Sequence, residues 1–216
     1  VIFGIAHDIT ERKQAEAIIK KDVERTRMLL DLGLMREASE EVLIQFALEE
    51  MVRLTDSEIG YLHFVDPDEE NIMLCAWSRK ALATSTAPTA ARHPLAETGL
   101  WADCVKRRES VIHNEYLRVP GQKELPEWHP PVLRHMIVPI LDGDRVAAVA
   151  GVCNKPGPYE DTDVRQMTLF TGKMWDLLKQ KRAEKEIRRL ANVVELSPTP
   201  IIITDSEARI QYVNPI

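Results

Sequence analysis

Only three cysteines occur in 216 residues, at Cys75, Cys104 and Cys153, and no two are spaced as C-x-x-C. An odd number at wide spacing excludes a disulfide scaffold and suits a reducing cytoplasm. No run approaches 18 consecutive apolar residues, and the first residues lack a basic region followed by a hydrophobic one and a small-residue cleavage site. Neither a spanning segment, an export signal nor direct membrane contact is therefore expected. Charge is close to balanced, with 28 basic and 34 acidic residues, so nucleic acid is not an expected partner. The basic cluster at 179–189 reads as the solvated face of a helix, where Glu184 lies four residues before Arg188. Glycine-rich phosphate loops and dinucleotide fingerprints are missing, and His63, His93, His113, His129 and His135 show no metal-ligand spacing. No metal site is expected. The cofactor is left unknown, with haem the hardest to exclude because one axial His or Cys and an apolar cavity suffice for it.

What is present is enough apolar material, 44% of residues, for a real core. Val1 to Ile5 reads as the end of a strand, and Thr10 is placed to cap a charged helix running to about Met35. Ile19, Val23, Thr26 and Leu30 recur on it at spacings of four, three and four, a short coiled-coil seam. Ser39 offers a new cap before Val42, Leu43, Phe46, Ala47, Glu50, Met51 and Leu54, whose spacing predicts one face of a helix packed on a sheet. Ile59 to Val65 and Ile72 to Trp77 flank the polar turn 66–71 and predict a hairpin. The stretch 78–94 is too polar for a core strand and reads as a mobile cover. A short helix capped by Thr98 follows at 100–107, then a strand from Val111 and a second irregular cover at 117–131. Leu133 to Leu141 and Arg145 to Cys153 enclose Asp142-Gly143, a strong hairpin signal.

Pro156, Gly157 and Pro158 then break the chain, and Asp161 or Thr162 is placed to cap a long helix beginning near Glu160. That helix presents Val164, Met167, Phe170, Met174 and Leu177, and after a slip of phase Ala183, Ile187, Leu190 and Val194. A phase slip is expected where a helix leaves a sheet and packs on another helix. Helix, hairpin, cover, hairpin and long helix together predict an α+β fold.

Asn154-Lys155, Tyr159 and Asp163 resemble the Asn-Lys...Phe...Asp-Glu signature of GAF domains, with Tyr159 in place of Phe and Val164 in place of the final Glu. The resemblance implies a central antiparallel sheet with terminal helices on one face and pocket-covering loops on the other, and strand order rests on it alone. It also implies that Lys155 and Asp163 form a structural ion pair and that Asn154 braces the pocket wall. Gly4-Ile-Ala-His-Asp8-Ile9-Thr10 resembles the exit of a PAS domain, and Ser197-Pro198 to Asn214 resembles the entrance to another. The expected organisation is a PAS remnant at 1–10, a linker helix at 11–36, a GAF domain at 37–178, a signalling helix at 179–196 and a PAS fragment at 197–216. A chain that starts without Met and stops in mid-domain reads as a piece of a longer signalling protein, with flanking PAS domains and a histidine kinase expected beyond it.

Candidate ligand contacts are Trp77, Trp101, Tyr116, Trp128 and Arg134, which lie in or beside the covers and suit a small apolar or aromatic ligand. The same aromatics also serve to hold irregular segments on the sheet, and Arg134 equally suits pairing with Glu115 or Asp103. No nucleophile with an arranged acid or base is recognisable, so catalysis is not expected. Two alternatives stay open: a purely structural dimerisation module and, through the resemblance, a cysteine-dependent reductase of free methionine sulfoxide. Parallel pairing of the terminal helices predicts a homodimer.

Overall fold

The computed structural model describes residues 2–84, 92–119 and 130–215; at 2–11, 14–15, 17–18, 20–21, 84 and 100–101 the description is confined to the backbone. It divides into two units, 1–175 and 176–216.

The first unit is built on a six-stranded antiparallel sheet. Its strands are β1 (Ile59–Val65), β2 (Asn71–Trp77), β3 (Arg92–Pro94), β4 (Val111–His113), β5 (His135–Asp142) and β6 (Arg145–Cys153), in the spatial order β3-β2-β1-β6-β5-β4. The Asp142-Gly143 turn closes the β5–β6 hairpin with Gly143 at φ 64°, a left-handed conformation that glycine adopts without a Cβ penalty. β6 is central, and its residues from Val146 to Cys153 are all buried. Three alanines and Gly151 in that stretch keep it thin enough to be covered on both faces.

One face carries long helices. Helix α1 (Ile2–Leu34) packs on α2 (Glu40–Leu54), which begins where the Ser39 hydroxyl accepts the Val42 amide at 3.3 Å. The buried stripe of α2 is Leu43, Ile44, Ala47, Leu48, Met51 and Leu54. Val42 is 52% exposed, so the inward face is turned from the one expected, because Ile44 and Leu48 join the stripe centred on Leu43, Ala47 and Met51. Close approach at Gly60 explains the seating: a Cβ there would press on the Val52 side chain. Helix α5 (Asp161–Glu195) covers the same face, burying Met167, Phe170 and Met174, with the Trp175 and Phe64 rings 6.1 Å apart.

The opposite face is covered by short elements, α3 (Arg79–Thr84), a 3-10 turn at Leu95–Glu97 and α4 (Leu100–Arg107). Four expectations need correction. Residues 2–10 are the first turns of α1 rather than the end of a strand followed by a helix cap at Thr10, since a strand needs a neighbour for its backbone groups whereas a helix closes its own. Both ends of the first cover are regular, as α3 and as the edge strand β3, whose three side chains are all exposed and so need no apolar character. The middle of that cover, 85–91, lies outside the described residues. Thr98 does not cap α4; its hydroxyl donates back to the Leu95 carbonyl at 2.7 Å, and Gly99 at φ 62° turns the chain into the helix. Finally, α5 is capped from within: the Asp163 carboxylate accepts the Glu160 amide at 3.0 Å, the returning half of a capping box.

The second unit is the remainder of α5 followed by a hairpin of β7 (Ile202–Thr204) and β8 (Ile210–Val213). Asn214 closes it, accepting the Ile201 amide at 2.6 Å and donating to the carbonyls of Ser197 and Thr199. Among the described residues no helix is long and apolar enough to cross a membrane.

Candidate functional site

Antiparallel register sets Tyr61 opposite Gly151 and His135 opposite Cys153, so a tyrosine on β1 and a histidine on β5 flank the central strand on one face. Gly151 is what lets them meet. A Cβ there would overlap the Tyr61 ring; without it the ring lies across β6, and the Tyr61 hydroxyl stands 2.6 Å from His135 Nε2. Around this buried bond the rings continue outward. His135 stacks on His113 at 5.9 Å and 6°, Tyr116 meets both histidines edge-on, and Trp77 and His63 stand edge-on to Tyr61 at 5.7 and 5.0 Å. Cys104 and Val105 of α4, with Leu95 and Val132, close the apolar side of the same cluster.

This environment disfavours the charged forms of Tyr61, Tyr116, His113, Cys104 and Cys153. Burial, with smaller contributions from Cys153 and Tyr116, pushes the Tyr61 phenol well above its ordinary value. Burial likewise pushes Tyr116 and Cys104 up to about 12 and raises Cys153 further. His113 is held below 6.5, chiefly by burial, with Asp103 opposing and Arg107 adding to the shift. Its Nε2 is buried and has no hydrogen-bond partner among the described residues. Thiols that stay protonated are poor nucleophiles, so the cluster suits recognition better than thiol chemistry. Among the described residues no group of three or more His, Cys, Asp or Glu is arranged to hold a metal ion.

The turn after β6 fastens the edges of this face. Asn154 takes φ 64°, which asparagine tolerates, and its amide grips the chain ahead of β5: Oδ1 accepts the Leu133 amide and Nδ2 donates to the Pro131 carbonyl, both at 2.8 Å. Lys155 Nζ lies 2.6 Å from Asp163 Oδ2, with both side chains largely buried. Tyr159 sits between: its hydroxyl contacts Ser57 at 2.7 Å and accepts the Lys155 amide, while Asn114 bonds both its backbone groups. Far from that turn, Arg108 at φ 54° ends α4 and bonds the Glu69 carboxylate and the Asp144 carbonyl, tying α4 to two hairpin tips.

A family model described as a GAF domain matches residues 37–179. The chain belongs to the GAF domain family. A curated relative, the methyl sulfide methyltransferase-associated sensor of Methanosarcina acetivorans, is 39% identical over 189 residues, 87% of this chain and 19% of that protein. The chain thus spans about a fifth of the length of that relative. Among solved structures it is similar to the GAF domain of a phosphoenolpyruvate-protein phosphotransferase from Coxiella burnetii, with TM-score 0.63 and 12% identity over 76% of this chain and 98% of that one. It is also similar to the free methionine-R-sulfoxide reductase of Neisseria meningitidis, with TM-score 0.54 and 13% identity over 78% and 93% of the two chains. At these identities the likeness is one of fold.

In this GAF domain Trp77 and Tyr116 converge on the Tyr61–His135 pair. Arg134 does not face Glu115 or Asp103: its Nη1 donates to the Lys155 carbonyl at 3.2 Å, and Glu115 pairs with Arg118. Trp128 lies outside the described residues, as does the side chain of Trp101. Sequence reasoning missed that Gly151 lets Tyr61 reach His135 across β6. The signal was there in the alternation of β6, where a lone glycine interrupts a strand of alanines and valines.

Proposed function

We propose that this GAF domain is a non-catalytic sensory and dimerising module that binds a small apolar or aromatic molecule on the face covered by α4 and the segments 78–94 and 117–131. The observation that carries this reading is the buried ring cluster of Tyr61, Trp77, His113, Tyr116 and His135, held beneath short elements rather than a long helix. Trp77 and Tyr116 supply flat apolar wall, His113 Nε2 offers a directional bond, and Trp101 and Trp128 are proposed as further ligand contacts. Arg134 presents N–H groups beyond the one given to Lys155. The sensor relative adds support for a signalling setting. In that setting the segments 1–10 and 197–216 adjoin PAS domains, the terminal helices pair two copies, and a cytoplasmic histidine kinase lies beyond them.

Such a ligand transmits a signal only through different affinities for two states; moving an equilibrium from 1:99 to 99:1 takes about 5.5 kcal/mol of difference. Absorption spectra and native mass spectrometry of freshly purified protein test retention of a ligand, with a Soret band marking haem. Thermal-shift screening of aromatic heterocycles then compares wild type with His113→Ala. Stabilisation that is lost in the variant supports the reading. No retained mass and no stabilising compound would leave a structural dimerisation module, and thiol-dependent reduction of free methionine sulfoxide would replace a sensor with an enzyme.

A further inference from the structure

We propose that α1 pairs with α1 of a second copy, parallel and in register, and that Asp22 of each copy meets Arg27 of the other across that interface. The inference rests on the dimeric reading above and adds its register and the charge pair that fixes it. Ile19, Val23, Thr26 and Leu30 occupy the d, a, d and a positions of a heptad, which places Asp22 at g and Arg27 at e. In a parallel pair the g residue of one helix faces the e residue five positions on in its partner. Two-fold symmetry then makes the Asp22–Arg27 contact twice.

The structure shows two stripes on this helix. Met28 and Leu32, at 1% and 0% exposure, form the inward one, while Ile19, Val23 and Leu30 stand 62%, 62% and 65% exposed. These exposed residues line a groove of about 490 Å³ together with Thr26, Asp22, Arg27 and Asp31. Met28 and Leu32 fall at f and c in the same frame, so inward packing leaves the a/d seam available. Antiparallel pairing would set Asp22 against Asp22 and Arg27 against Arg27, and like charges at that distance oppose it. A seam of the same spacing occurs on α5, where Ala183, Ile187, Leu190 and Val194 hold d, a, d and a, but the positions equivalent to Asp22 and Arg27 there are Glu186 and Ala191, so the charge pair is particular to α1. Ile187 and Leu190 there are 67% and 52% exposed.

Sedimentation velocity on the 216-residue chain tests this with Asp22→Arg, Arg27→Asp and the double reversal. Each single reversal should weaken dimerisation about tenfold at low salt, and the double should return to within about twofold of wild type. The difference should fade at 1 M salt. Asp22 also pairs with Arg25 of its own helix at 3.2 Å, and only the intermolecular contact is rebuilt by the double variant. Single reversals without effect, or a double as weak as the singles, overturn the inference while leaving the dimer intact. A wild-type chain that stays monomeric at tens of micromolar removes the dimeric reading itself. All the altered side chains are exposed, and unchanged thermal unfolding in each variant at high salt verifies that the fold is kept.

Discussion

Under α2 and the first turns of α5 the sheet buries Leu43, Leu48, Met51, Met167, Phe170 and Met174, side chains whose polar demands are nil. Across the same strands, under α3 and α4, it buries Tyr61, His63, Trp77, Tyr116 and His135, each carrying a group that needs a partner in a dry environment. The first face rests chiefly on apolar packing; the second depends on a bond made at 2.6 Å and on a glycine that clears the way for it. On the function proposed above, stability and recognition are divided between the two faces. Mutations on one should change how firmly the domain folds, and mutations on the other should change what it holds.

The largest effect is expected on the apolar face. Phe170→Ala empties a fully buried site and should cost about 3–5 kcal/mol in equilibrium denaturation. Any compound that stabilises the wild type should still stabilise this variant. If binding were lost with it, the division between faces would not hold.

A comparable loss should follow Lys155→Ala, which leaves the Asp163 carboxylate, 4% exposed, without its cation. Removing one partner of a buried pair costs about 3–5 kcal/mol. Lys155→Met combined with Asp163→Leu should recover part of this, less the bond from the Glu160 amide. Denaturation midpoints of the three proteins measure both steps. Recovery that is complete would show that Asp163 is needed only as a counter-charge and not as a cap.

The elements that strand and turn chemistry specify locally were readable in advance. β1, β5, β6 and the start of α2 follow from alternation, Asp142-Gly143 and Ser39, each a signal contained in a few neighbouring residues. What failed was decided by partners distant in sequence. Val1 to Ile5 had the look of the end of a strand, but among the described residues no strand pairs with residues 2–5, which form the start of α1. The phase of α2 was set by Gly60, which admits Val52 at the sheet. In the site, Trp77 and Tyr116 were legible as aromatics beside covers. The Tyr61–His135 contact was not, because it joins residues 74 positions apart across a strand whose only contribution is a missing side chain.

Tyr61→Phe probes the polar face with the smallest change of shape. The Tyr61–His135 bond has one hydrogen, donated either by the phenol to Nε2 or by Nε2–H to the phenol oxygen, and the variant leaves the imidazole to lose that contact in a dry site. The expected cost is about 1–3 kcal/mol by denaturation, below that of Phe170→Ala. A ligand that hydrogen-bonds the cluster should bind the variant with altered affinity. A cost near zero would mean that the two faces differ in composition but not in energetic logic.

The most delicate difference is in pH response. His113 is half-buried with its pKa held below 6.5, burial being the main cause, Arg107 adding to it and Asp103 working against it. Between the folded and unfolded values the unfolded chain binds a proton that the folded chain refuses, so stability rises with pH across that interval. The contribution is fully present above about 6.5 and is lost as pH falls through the folded value. Thermal unfolding followed from pH 7.5 to 5 should therefore show the wild type losing stability more steeply than His113→Gln, whose amide does not titrate. Phe170→Ala, altered only on the apolar face, should keep the wild-type slope about a lower midpoint. Equal slopes for wild type and His113→Gln would assign the response to groups outside the ring cluster and remove the neutral imidazole from the account of this face.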